Sequence, residues 1–334
     1  MQQQIEIHDV PEIEGLSFRG FRGEVDYPAM VAILDGSDVF DQIKQVNSVG
    51  DTQRMYSHLT NCDPFKDMLF AEIDGEPIAY CRVYWRQQPD KDRIYWHFGS
   101  LLPEWRRKGI GRAMLRWCER RLSEIASNHP RDGERYLQTY GAEKQDGKEE
   151  FCLSEGYMPI RYEFIMDRTL DGDLPEAPVP PDLELRTVLD EHIRPIWDAT
   201  AEAFRDHWGY VPQTEESYQE FLEWRCFNPK HWKVAWDGDQ VAGMVLNFID
   251  EEENAKYDRR RGYTESVSVR RPWRRRGLAR SLIAESFRYL RDLGMEEAAL
   301  GVDAQNLNSA FRLYESMGFE KEMQWTDYRK DLEK

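Results

Sequence analysis

Cysteine is scarce, with five residues in a chain of 334, at positions 62, 81, 118, 152 and 226. They are odd in number, scattered, and form no C-x-x-C pair, which excludes a disulfide scaffold and points to a reduced, cytoplasmic setting. The seven histidines show no metal-ligand spacing and H-E-x-x-H is absent, so no metal is expected. No apolar run approaches the roughly 20 residues that span a bilayer. The opening MQQQIEIHDV lacks the charged and apolar regions of a signal peptide, and no membrane partner is expected. Basic residues are also in the minority: 45 Lys and Arg against 62 Asp and Glu, a net charge of −17. Phosphate backbones want the opposite balance, so nucleic acid is not an expected partner.

What the chain does contain is a strand–turn–helix unit, and it contains it twice. In the second half, Thr264 to Val269 alternates as a strand with Ser266 and Ser268 on one face. Arg274, Arg275 and Arg276 then lead into Gly277, Leu278, Ala279 and Arg280, and Leu278, Leu282, Ile283, Phe287, Leu290 and Leu293 recur at helical spacing. In the first half, over Arg93 to Ile125, a strand-like segment leads into Arg106, Arg107, Lys108, Gly109, Ile110, Gly111 and Arg112, and another amphipathic helix follows. Both copies fit Arg-x-x-Gly-x-Gly/Ala. A basic glycine turn opening a helix is an anion site, because the first-turn N–H groups are unpaired and the macrodipole adds positive charge there.

The paired loops resemble the pyrophosphate-binding motif of the GNAT superfamily of N-acetyltransferases, in the tandem two-domain type similar to mycothiol synthase. LGVDAQNLNSAFRLYESMGF, residues 300–319, is similar to the last helix region of that family, whereas FCLSEGY, residues 151–157, keeps only part of it. The resemblance implies an α/β (α+β) fold class: two tandem GNAT folds, each a mixed, mostly antiparallel twisted sheet flanked by helices. The expected division is an N-terminal domain over 1–168, a Pro-rich acidic linker over 169–182 and a C-terminal domain over 183–334. Hairpins are predicted around Asp74-Gly75 and Asp237-Gly238-Asp239, a charged loop over 251–262, and a helix over 308–317 ending at Gly318.

Acetyl-CoA is the cofactor that the resemblance implies, with up to one molecule per domain. Acetyl transfer to an amine needs a base for the ammonium proton, donors for the developing oxyanion and an acid for the thiolate. By resemblance, Glu265 is the candidate base and Tyr314 the candidate acid. Val267, Ser268 and Val269 hold the acetyl and pantetheine, Arg274 to Arg280 cradle the pyrophosphate, and Asn306 orients the cofactor. Leu101 and Arg106 to Arg112 are the equivalent binding residues of the first copy. Aligning the copies places His97 opposite Glu265 and Cys152 opposite Tyr314, so the first domain is expected to bind without turning over. Glu265 also reads as a structural ion-pair partner, and Tyr314 as a packing residue.

The acceptor is a small-molecule or peptide amine, and AFRDHWGYVP carries the candidate residues Asp206, His207, Trp208 and Tyr210. The same stretch also reads as a helix end closed by Gly209 with Trp208 in the core. The sequence leaves monomer and homodimer both open. A non-catalytic acyl-CoA sensor or scaffold is the alternative function, one that has no use for the Glu265/Tyr314 pair.

Overall fold

The computed structural model describes residue 5, residues 7–305 and residues 310–332. The expected Asn306 site lies outside the described residues. The chain divides into two compact units: Met1–Ile160 together with Thr326–Lys334, and Arg161–Trp325.

The first unit is built from β1 (Leu16–Arg19), α1 (Tyr27–Asp41), α2 (Val49–Ser57), α3 (Pro64–Asp67), β2 (Met68–Ile73), β3 (Glu76–Gln87), β4 (Arg93–Leu101), α4 (Ile110–Ser127), β5 (Arg135–Ala142) and α5 (Lys148–Ser154). Antiparallel pairing runs from β1 through β4, and β5 then joins β4 in parallel. Helix α4 lays Ile110, Met114, Cys118 and Leu122 on the sheet residues Leu69, Ala71, Val83 and Tyr95. Each such fully buried aliphatic is worth about 1.5–3 kcal/mol.

The second unit repeats the order. It comprises β6 (Met158–Thr169, from Arg161 onward), β7 (Glu184–Arg186), α6 (Asp190–Phe204), α7 (Glu215–Leu222), β8 (Lys233–Asp237), β9 (Gln240–Ile249), α8 (Glu251–Tyr257), β10 (Arg261–Val269), α9 (Leu278–Asp292), β11 (Glu297–Asp303), α10 (Ala310–Ser316) and the first part of β12 (Glu320–Asp331). Strands β7 to β10 are antiparallel neighbours and β11 joins β10 in parallel. Leu282, Ile283 and Phe287 of α9 cover Ala235, Val245 and Ala298.

The closing strand of each unit comes from the other half of the sequence. β6 pairs with the whole length of β11, from Glu297↔Thr169 to Asp303↔Glu163. The end of β12 lies beside β5, where Arg329 donates to Gln138 Oε1 at 2.8 Å. Residues 161–168 thus fall in the second compact unit.

The stretch predicted as a linker, 169–182, packs on the second unit. Leu170 and Ala177 are buried in its core, and Ser281 of α9 donates to the Pro178 carbonyl at 2.7 Å. The charged loop predicted over 251–262 is in fact α8 followed by β10. Asp250 caps the helix by accepting from Glu253 N–H at 3.0 Å, and Glu251 and Glu252 favour the positive end of its dipole. Among the described residues, no helix is long and apolar enough to cross a membrane.

Candidate active site

Two features open the second unit's sheet. Strand β10 pairs with β11 only over Arg261–Tyr263, although β11 stays paired to β6 as far as Asp303, so β10 and β11 part after Tyr263. Between Glu265 and Ser268 the register against β9 shifts by a bulge, with Ser266 at φ +51°. Ser266 and Val267 have no register partner on β9, and the Ser266 N–H bonds to the Glu265 carboxylate. The alternation predicted through Thr264–Val269 is broken there, because the bulge adds a residue between Ser266 and the strand end. Strand β4 in the first unit carries no such shift.

The basic glycine loops of the two units are near copies. Gly109 and Gly277 sit at φ +88° and +83° at the helix N-caps, a left-handed conformation that side chains disfavour; at Gly277 an added Cβ would meet only open space. Arg107 and Arg275 precede them at φ +60° and +62°. The leading arginine braces the turn in both: Arg106 Nε donates to Leu101 O at 3.2 Å, and Arg274 Nε to Val269 O at 2.9 Å. Arg106 is also bound by both Asp41 oxygens, at 2.7 and 2.8 Å. The helix-start N–H groups and the exposed Arg275 are left to face an anion. Arg270, Arg271 and Arg276 are engaged by Glu202, Asp206 and Asp182, so three of the run's five arginines are paired within the fold.

A cleft of about 910 Å³ runs from this loop along the bulge. Val267, Ser268, Val269, Arg274, Arg275, Gly277, Leu278, Ala279 and Arg280 line it, and so do Glu265 and Tyr314; Arg276 does not. Glu265 Oε1 accepts from Gly301 N–H at 2.7 Å. Burial pushes its carboxyl up to about 7, with the nearby Glu163 adding to the rise and the Gly301 bond opposing it. Gly301 makes room for both acids, since a Cβ there would lie 3.0 Å from Glu163 Oε1 and 3.6 Å from Glu265 Oε1. Tyr314 is 6% exposed, and burial, helped by the Glu265 charge, raises its hydroxyl and keeps it protonated.

In the first unit the equivalent cavity, about 500 Å³, is lined by Leu101, Arg106, Arg107, Gly109, Gly111 and Arg112, whereas Lys108 and Ile110 stand outside it. Cys152, 2% exposed, occupies the place of Tyr314. His97 Nε2 lies 2.9 Å from the Tyr157 hydroxyl, which donates to Glu119 at 3.1 Å. Burial holds the ring down to about 3, so it is neutral, and with the phenol proton given to Glu119 this nitrogen donates rather than accepts.

Of the expected acceptor residues, His207 lines the second unit's cleft and Asp206, Trp208 and Tyr210 do not. Asp206 is held by Arg271, at 2.5 Å, and Arg274, at 3.7 Å. Trp208 is 42% exposed under the Arg161 guanidinium, 5.0 Å from its ring centre, rather than in the core. Tyr210 continues the turn after α6 by donating its N–H to His207 O at 3.3 Å.

The pattern of the acetyltransferase (GNAT) family matches residues 38–137 and 196–319, together more than half of the chain. The chain belongs to that family. It is an acetyl-CoA-dependent N-acyltransferase of the tandem GNAT type. A mycothiol acetyltransferase of Geodermatophilus obscurus is 29% identical over 303 residues, covering 87% of this chain and 90% of its own. That of Catenulispora acidiphila is 26% identical over 221 residues, 66% and 67% of the two chains. Among solved structures, a GCN5-related N-acetyltransferase of Sphaerobacter thermophilus superposes with TM-score 0.72 at 24% identity, covering 96% and 97%. A tandem GNAT protein from the clavulanic acid biosynthesis pathway gives 0.66 at 14%, covering 96% and 99%.

The second unit's cleft fits the cofactor that the GNAT family uses. The phosphate loop opens at one end and Glu265 and Tyr314 lie at the other. Between them the buried Ser268 hydroxyl has no hydrogen-bond partner among the described residues, a polar group suited to an amide of the pantetheine arm.

Proposed function

We propose that acetyl transfer takes place in the second unit, from acetyl-CoA directly to the primary amine of a small molecule, and that the first unit is catalytically silent. The observation that carries this reading is the meeting of two cavities at one bulge. The cofactor cleft and a second cavity of about 340 Å³ share Glu265 and Ser266. An amine entering from the second cavity therefore reaches the same carboxyl that borders the cofactor's reactive end. The relatives are mycothiol acetyltransferases, and that name supports a small-molecule acceptor.

When bound, coenzyme A supplies the acetyl thioester. Glu265, ionised in part near neutrality, takes a proton from the acceptor ammonium. The Val267 N–H, at the bulge and beside the cleft, stabilises negative charge that develops on a carbonyl oxygen. Tyr314, kept protonated, gives its proton to the leaving sulfur. The first unit lacks each of these: its strand has no bulge, its histidine donates to a phenol, and its cysteine is buried.

Thiol release is measured with an amine panel, alongside calorimetric titration of acetyl-CoA into the full chain. Glu265→Gln is expected to lower kcat by about 10²–10⁴-fold with acetyl-CoA affinity unchanged. Unaltered turnover in that variant overturns the assignment.

A further inference from the structure

The second cavity has a chemistry of its own. Its walls come from the end of α7, the segment before β8, and strands β9 and β10. Phe221, Phe227 and Trp232 form one aromatic group, with ring centres 5.2 to 5.8 Å apart. Trp224, Phe248 and Tyr263 form the other: Trp224 meets Phe248 edge-on at 4.6 Å, and Phe248 stacks on Tyr263 at 4.5 Å. Among the described residues, Glu265 is the single charged side chain that lines the space. Neither Asp250, engaged by Arg225, nor Glu253, engaged by Arg259 and the Tyr263 hydroxyl, lines it.

Five of these six rings, all but Trp232, are half-buried rather than sealed in the core, so they keep accessible aromatic surface. That surface is a favourable place for an apolar group, at about 25 cal/mol per Å² covered. A volume near 340 Å³ is at the small end for ligand pockets and suits one ring system rather than a peptide or a disaccharide. The register places Glu265 and Tyr263 two residues apart on one face of β10, opposite Leu246 and Phe248. The carboxyl therefore stands at the inner end of an aromatic slot and at the border of the cofactor cleft.

We propose that the acceptor is a primary amine carried on a single aromatic or comparably apolar ring, an arylalkylamine in chemical class, with its nitrogen at Glu265 and its ring between the two aromatic groups. This deepens the proposed function and rests on it. The transfer balances simply: the amine nitrogen bonds to the acetyl carbon as the carbon–sulfur bond breaks. The ammonium gives one proton to Glu265 before attack, and the second, lost as the amide forms, replaces the proton that Tyr314 hands to the departing thiolate.

The test uses the full chain, acetyl-CoA and four amines: phenethylamine, tryptamine, glucosamine and ethanolamine. The expected result is that kcat/KM for the two aromatic amines exceeds that for the other two by about 100-fold. Trp224→Ala is expected to raise KM for phenethylamine at least tenfold and to leave acetyl-CoA affinity unchanged. Quenching of intrinsic tryptophan fluorescence by phenethylamine gives an independent binding readout in the unaltered protein. Preference for glucosamine or ethanolamine, with turnover intact, overturns the aromatic assignment and leaves the acetyltransferase site standing. Acetyl-CoA binding with no turnover of any of the four overturns both.

Discussion

Glu265 is the residue whose chemistry depends most on its setting. Buried beside Glu163, it titrates near 7, so the fraction able to accept a proton grows as pH rises through neutrality. The kcat–pH profile is expected to show an ascending limb near pH 7 that disappears in Glu265→Gln. The same shift has a stability consequence. A carboxyl whose folded pKa lies above its unfolded value near 4.5 favours the fold while protonated, and that contribution is lost as pH rises from about 4.5 through 7. Above pH 7.5, Glu265→Gln should therefore be more stable than the parent by about 1–2 kcal/mol, and the two should converge near pH 4.5. Melting temperatures across that range check it, and a variant less stable at high pH would count against a buried, charge-strained Glu265. At Tyr314 the demand is smaller, since a free thiol of pKa ~8.5 leaves readily without much help. Tyr314→Phe is expected to lower kcat by about tenfold and to spare acetyl-CoA affinity, as read by the same thiol-release assay and titration.

At the scale of elements, the parting of β10 and β11 and the bulge between Glu265 and Ser268 do the positioning. Gly301 on β11 is the contact on which both acids converge. A Gly301→Ala change puts a methyl group 3.0 Å from Glu163 Oε1, forcing that carboxylate and its neighbour to shift. We expect kcat to fall at least tenfold while acetyl-CoA binding at the distant loop persists, with kcat and the calorimetric Kd as the two readouts. That the two loops open helices, and that Tyr314 lies on the helix ending before Gly318, was legible in the sequence because each depends on residues close in the chain: an arginine-glycine turn at a helix start, or a tyrosine four residues before Gly318. The bulge was not, because Thr264–Val269 alternates as an unbroken strand does and nothing local marks the extra residue. The aromatic slot was hidden for another reason. Phe221, Trp224, Trp232, Phe248 and Tyr263 are dispersed over more than forty positions and meet only when β9 and β10 pair. Asp206 and Trp208 stand in one short polar and aromatic stretch, yet the fold ties them to Arg271 and Arg161.

At the scale of the whole molecule, the sequence reads as two successive repeats, but the compact units do not end where the repeats do. Both β6 and β12 have the pattern of a closing strand, and no local feature says which sheet each one closes. β6 carries Glu163 and seven register pairs to β11 in the second unit. A fragment beginning at residue 183 therefore loses an entire edge of its sheet, the packed segment from Leu170 to Ala177, and one of the two acids at Gly301. It exposes the ladder side of β11 to solvent, the condition under which strands associate wrongly. We expect fragment 183–334 to aggregate or to melt far below the full chain, and fragment 161–325 to be the more soluble and more stable of the two. Size-exclusion profiles and thermal melts of the two fragments decide this. Equal behaviour would show that β6 contributes little to the second unit. Independent folding of 183–334 with full acetyl-CoA turnover would further remove Glu163 from any part in setting the Glu265 carboxyl.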